Sequence, residues 1–134
     1  MNYAYLLDTN IISELVKNPR GLIFNQIKTI GEDKICTSII VACELKFGAK
    51  KKNSPQLIEK IETILASIDI LPLTLAVAEY YAQIRSDLER KGTPIGGNDL
   101  LIGVQAISLN LTVVTNNVKE FSRIPNLKVE NWLN

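Results

Sequence analysis

Histidine is missing altogether from this 134-residue chain. A Ser-His-Asp or Cys-His nucleophile, a histidine acid–base pair and a histidine metal site are therefore excluded. Any catalysis must run on carboxylates, hydroxyls, amides, lysines, thiols or a bound ion. Cysteine is scarce: Cys36 and Cys43 stand without a C-x-x-C motif or a second pair. That usage reads as two buried free thiols in a reducing compartment. No run of about 18 apolar residues occurs, so nothing reads as membrane-spanning. No N-terminal stretch has the charged-then-apolar layout of a signal peptide, and a cytoplasmic location is the expectation. Gly96-Gly97 lacks the G-x-G-x-x-G and G-K-[ST] forms of nucleotide loops. Neither sign of charge predominates, with fifteen basic and fourteen acidic residues giving +1. Such a balance excludes no partner, because local patches set the field at a site.

What is there suits one globular domain over residues 1–134. Hydrophobic residues make up 46% and charged residues 22%, ordinary values for a folded domain. A chain of this length buries roughly two-thirds of its unfolded surface without staples. Ala4-Tyr5-Leu6-Leu7 reads as a strand buried on both faces. Asp8-Thr9-Asn10 offers caps for a helix over Ile11–Val16, and Asn18-Pro19-Arg20-Gly21 reads as a turn. Leu22, Ile23, Ile27 and Ile30 mark a second amphipathic segment. Lys34–Thr37 reads as a strand, Ser38 as the cap of a helix to about Gly48, and Lys50–Asn53 as a solvated basic connection. Ser54-Pro55 opens a helix. A strand over Ile70–Leu73 is stopped by Pro72, which suggests a sheet edge or a strand end. Leu75–Lys91 reads as a helix with Val77, Tyr80, Tyr81, Ile84 and Leu88 on one face. After the loop Gly92–Gly97, Asn98 caps a helix to about Leu109. Thr112–Val114 is a strand, Val118–Phe121 a short turn or helix, and Lys128-Val129 a last edge strand. Alternating strands and helices without repeat or linker imply a single α/β domain with a mainly parallel sheet. Ligands of such folds bind outside the C-terminal strand ends, where Asp8 and Thr115 fall.

Three of the fourteen acids stand apart. Asp8 closes an apolar strand. Glu44 has Ile40, Val41, Phe47 and Gly48 as its helical neighbours, on an apolar face. Asp99 follows the glycine turn and precedes Leu100-Leu101-Ile102. Each has a plain structural reading: a helix cap for Asp8, a first-turn acid for Asp99, and for Glu44 an edge residue or a pair with Lys46 or Lys50. The functional reading is that they converge on a divalent cation. An unpaired buried carboxylate costs several kcal/mol, and hard oxygen donors without histidine suit Mg²⁺ or Mn²⁺.

Other features carry two readings each. Thr115-Asn116-Asn117 supplies either neutral oxygen ligands or a turn with an Asn cap. Lys46, Lys50, Lys51 and Lys52 form either a phosphate-backbone contact or a solubilising loop. Arg85, Arg90 and Lys91 divide the same way. Tyr80 and Tyr81 read as core or dimer contacts in preference to base-stacking platforms. Asp8-Thr9-Asn10 is not the D-x-D of aspartyl-phosphate phosphatases, and a receiver-type acidic pair is missing.

In order along the chain, four segments resemble the motifs of PIN-domain nucleases, most nearly the VapC toxins of type II toxin–antitoxin pairs. They are Leu7-Asp8-Thr9-Asn10-Ile11-Ile12-Ser13-Glu14-Leu15, Cys43-Glu44-Leu45-Lys46-Phe47-Gly48, Pro94-Ile95-Gly96-Gly97-Asn98-Asp99-Leu100-Leu101-Ile102 and Val113-Val114-Thr115-Asn116-Asn117-Val118-Lys119-Glu120-Phe121, with the tail Val129-Glu130-Asn131-Trp132-Leu133. The resemblance implies a three-layer α/β/α sandwich around a mainly parallel sheet of four to five strands. It implies a Mg²⁺-dependent endoribonuclease, with Mn²⁺ as a substitute, that hydrolyses RNA, tRNA above all, to block translation. Asp8 and Asp99 match the direct metal ligands, and Glu44 the acid that completes the site. Asn117 stands where many relatives carry Asp, with Thr9 and Thr115 in support.

That Asn departure leaves three negative charges against the four positive charges of two Mg²⁺ ions. One firmly held ion is expected, with a second recruited by the substrate phosphate. The metal would activate water and neutralise charge on the reacting phosphate, leaving a 5′-phosphate and a 3′-hydroxyl. The resemblance also implies an antitoxin whose tail covers the acidic pocket, and a homodimer. The competing reading is a catalytically silent module of the same fold that binds RNA or antitoxin. A phosphatase or DNA flap nuclease fits less well, because the helical arch that threads a strand is missing.

Overall fold

A computed structural model describes residues 2–133. Its elements are β1 (Tyr5–Leu7), α1 (Thr9–Lys17), α2 (Leu22–Ile30), β2 (Ile35–Ser38), α3 (Ile39–Lys52), α4 (Pro55–Ser67), β3 (Asp69–Leu71), α5 (Leu75–Arg90), α6 (Gly97–Leu109), β4 (Thr112–Val114), α7 (Val118–Phe121) and β5 (Val129–Glu130), with a 3-10 turn at Glu32–Lys34. The five strands lie in the order β3-β2-β1-β4-β5, and every neighbouring pair is parallel.

Successive strand residues point to opposite faces. Leu6 and Leu7 are both fully buried, as are Val113 and Val114, so helices cover both faces of the sheet. That is the condition under which an all-parallel sheet is stable, and it explains why these strands read as continuous apolar runs. The strand order also fixes where a crevice opens. The chain builds outward from β1 through β2 to β3, then returns to the other side of β1 as β4. Ligands of open α/β sheets bind at such a reversal, beyond the C-terminal strand ends. Leu7 pairs with Val114, so Asp8 and Thr115 leave the sheet side by side.

A second apolar cluster, Val77, Leu88, Leu100, Val104 and Ile124, packs α5 against α6. Gly103 permits the close approach of α6 to the segment after α7, since a Cβ there would collide with Ile124 Cδ1. This packing holds Asp99, in the first turn of α6, over the crevice.

Several local expectations need correction. α3 does not stop at Gly48 but runs to Lys52, with Asn53 in the left-handed conformation at φ 52°. Lys50, Lys51 and Lys52 are therefore its last turn rather than a connection, where cations favour the helix dipole. Asn98 is not a cap: α6 starts at Gly97 without a side-chain cap, and the Asn98 amide turns elsewhere. α1 starts at Thr9, earlier than expected, because Asp8 caps it. Tyr80 lies off the buried face of α5 and is exposed, whereas Tyr81 and Ile84 pack on the second cluster. Cys36 is buried, but Cys43 is exposed, because α3 buries the Val41, Ala42, Leu45 and Ala49 face instead. β3 covers Asp69–Leu71 and β5 Val129–Glu130, each at a sheet edge. No helix among the described residues is long and apolar enough to cross a membrane.

Candidate active site

Asp8 is only 3% exposed. Its Oδ1 accepts the Thr9 N–H at 2.8 Å, which is its capping role. Its Oδ2 accepts Thr115 Oγ1 at 2.7 Å and Asn10 Nδ2 at 3.1 Å. Asn10 Oδ1 in turn accepts the Asn116 N–H at 2.8 Å, clamping the loops that leave β1 and β4. One oxygen starts the helix and the other faces the crevice network.

Glu44 sits at the flank of the buried face of α3, half-buried. The ion pair with Lys46 or Lys50 that its sequence allowed is not made; Lys46 pairs with Glu62 at 3.4 Å instead. Glu44 Oε1 accepts Thr9 Oγ1 at 2.5 Å, and Oε2 accepts Asn98 Nδ2 at 3.2 Å. The neighbour Phe47, expected on an apolar face, is 68% exposed.

Asp99 Oδ2 accepts Asn117 Nδ2 at 3.1 Å. The same amide donates to Glu120 Oε2 at 2.9 Å, and the Asn117 N–H donates to Thr115 Oγ1 at 2.9 Å. Glu120 Oε1 accepts the Gly96 N–H at 2.6 Å. Glu120 was not among the acids singled out from sequence; only its place three residues after Asn117, one helical turn on, signalled it.

Charge ties these groups into one field. Burial, followed by the like charges of Asp8 and Glu120, pushes the Asp99 carboxyl up to about 6, and Glu44 adds to the push. Burial also raises Asp8, with Glu44 contributing, although three hydrogen bonds pull it down. Glu120 is lowered, chiefly by the Gly96 N–H, then by Asn117. No cation among the described residues figures among the forces on Asp8 or Asp99; Arg123 helps to lower Glu120. Glu120 thus joins Asp8 and Glu44 as a like charge acting on Asp99.

Among the described residues no three acidic side chains converge closely enough to grip an ion as they stand. Thr9, Asn98, Thr115 and Asn117 hydrogen-bond to them instead. The donor set nevertheless fits a hard divalent cation: all oxygens, anionic, partly desolvated and without a basic counter-charge at Asp8 or Asp99. Beside Glu44 a cleft of ~220 Å³ opens between α1, α3 and α4, with Thr9, Ser13 and Glu44 on its wall and Lys17 and Lys52 at its rim. Lys17 was not singled out from sequence. Of the lysines that were, Lys50 and Lys51 make no ion pair among the described residues.

Known proteins are similar to this chain over nearly its whole length. The model of the PIN domain family matches residues 5–127. The chain is 41% identical over 130 residues to Ribonuclease VapC2 of Rickettsia felis, covering 96% of this chain and 97% of that one. It is 36% identical over 129 residues to the tRNA(fMet)-specific endonuclease VapC of Shigella flexneri, with the same two coverages, 96% and 97%. Among solved structures, VapBC2 of Rickettsia felis bound to a promoter DNA fragment superposes with a TM-score of 0.89 at 39% identity, over 96% of this chain and 98% of that one.

Proposed function

The chain belongs to the PIN-domain family, and from that premise we propose that it is a divalent-metal-dependent endoribonuclease, the toxin of a toxin–antitoxin pair. The observation that carries the reading is the gathering of Asp8, Glu44, Asp99 and Glu120 around the β1/β4 crevice, where burial first, and then the neighbouring like charges, raise Asp99 to about 6. Asp8 and Asp99 are desolvated there with like charges as neighbours and no cation among the causes of their shifts, an arrangement that costs free energy beyond what the Asp8 cap returns. They have a use if a cation completes them.

Asp8 and Asp99 are the ligands that would hold Mg²⁺, with Mn²⁺ as substitute, and Glu44 would complete the site. A bound divalent ion supplies Lewis acidity at a phosphate oxygen and activates water. The chain's own residues do the positioning. Thr115 orients Asp8, Thr9 and Asn98 orient Glu44, and Asn117 bridges Asp99 and Glu120. Lys50 and Lys51 are free to hold the RNA backbone, whereas Lys46 is engaged by Glu62. The relative named for its action on tRNA(fMet) supports tRNA as substrate. The VapBC assemblies among its structural neighbours support an antitoxin partner, whose basic side chain would pair with the crevice carboxylates; that the toxin is a homodimer is part of the same proposal.

The test is cleavage of a tRNA transcript and a matched DNA with Mg²⁺ or with EDTA. RNA cut to 5′-phosphate and 3′-hydroxyl ends only with metal is the expected result. Near-full cleavage in EDTA overturns the metal mechanism. RNA bound but never cut would make the chain a silent binding module.

A further inference from the structure

Glu44 does not stand alone on its side of α3. At 100° per residue, Ile40, Glu44, Phe47 and Lys51 recur at i, i+4, i+7 and i+11, one stripe along the helix. The stripe leads from the acidic crevice through an exposed ring to a cation. Phe47 is 68% exposed, and no aromatic or cation–π partner holds it among the described residues. Lys50 and Lys51 follow within one turn and are likewise unpaired. From Glu44 to Lys51 the helix rises roughly 10 Å, room for more than one phosphate.

We propose that Phe47 is the stacking platform for an unpaired base of the RNA substrate, next to the phosphate held at the acids. Lys51, with Lys50, takes the phosphate beyond that base. The proposal rests on the ribonuclease reading and names which nucleic-acid form the site accepts. A flat apolar ring flanked by cations matches a splayed-out nucleotide, apolar on its face and anionic on its backbone. A duplex does not fit it, because paired bases present no free face.

The experiment measures binding of a fluorescent single-stranded oligoribonucleotide in EDTA, where no cleavage confuses the readout. Phe47→Ala should weaken binding about 5- to 100-fold, the effect of one lost base stack, and Phe47→Trp should restore it. Removing one base of the oligonucleotide, at a single position, should weaken the wild type but not Phe47→Ala. Lys51→Ala should lower the salt slope by about 0.7 while Phe47→Ala leaves it unchanged. If the wild type binds and Phe47→Ala matches it within about twofold, well below one base stack, the stacking role is overturned and the nuclease reading stands. If Phe47→Ala instead converts a dimer to monomer by light scattering, Phe47 belongs to a self-interface and the proposal fails. A wild type that neither binds nor cuts RNA overturns the nuclease reading and this one with it.

Discussion

Thr115 Oγ1 donates to Asp8 Oδ2 at 2.7 Å although 107 positions separate the two residues. The contact follows from sheet register: Leu7 and Val114 pair, so the next residue of each strand meets at the crevice. Thr115 is completely buried and also accepts the Asn117 N–H. It therefore links the Asp8 half of the site to the Asp99 half. Thr115→Val, nearly the same shape, should cost about 1–3 kcal/mol in chemical denaturation, because it strands buried polar partners. Cleavage should fall about 10- to 100-fold, as when the group supporting a ligand is removed. Thr115→Ser should recover both.

Asp99→Asn should abolish RNA cleavage, by about a thousandfold or more on the scale of a lost site-completing charge, while circular dichroism and gel filtration stay unchanged. Its melting temperature without metal should not fall, because the change removes a partly desolvated charge facing Asp8 and Glu120. Asp8→Asn should be equally inactive. It should be less well tolerated by the fold, since an amide set among three donors satisfies them less fully.

Stability without metal should depend on pH in a direction set by Asp99. Its folded carboxyl is raised to about 6, above its unfolded value, so the folded state holds the proton more tightly. The stabilising contribution is full below the unfolded value near 4 and is lost as pH rises through about 6. Thermal melts in EDTA should therefore show a gain between pH 7.5 and 5, on the order of 1 kcal/mol after allowing for solvent screening. Asp99→Asn should flatten that rise. Added Mg²⁺ at pH 7.5 should stabilise the wild type by mass action and leave Asp99→Asn nearly unmoved.

Glu120→Gln tests the acid that the motif comparison did not assign. The substitution keeps an acceptor for the Gly96 N–H but removes a charge that raises Asp99. The acid limb of the cleavage–pH profile should move to lower pH, and the rate at neutral pH should drop about tenfold. An unshifted limb would place Glu120 outside the working site.

The elements themselves were legible because each is announced within a few residues. Ser54-Pro55 starts α4 by cap chemistry, and the apolar runs before Asp8 and Thr115 suit strands buried on both faces. Where the reading slipped, the deciding partner was remote. Asn98 looked like a cap, but its amide is drawn to Glu44, 54 positions away. Lys46 looked free for a phosphate or for Glu44, but Glu62 on the facing helix takes it. Phe47 looked apolar-facing, but the residues that α3 buries lie on its other side.

By itself the sequence determined that no histidine chemistry is available and that strands and helices alternate in an α/β pattern. Those conclusions need only composition and periods of two to four residues. The strand order, with β4 returning beside β1, was decided by packing, and so were the joining of Glu120 to Asp8, Glu44 and Asp99 and the exposure of Phe47. Long-range pairing depends on which faces bury together, and that free energy exists only when the whole core is assembled.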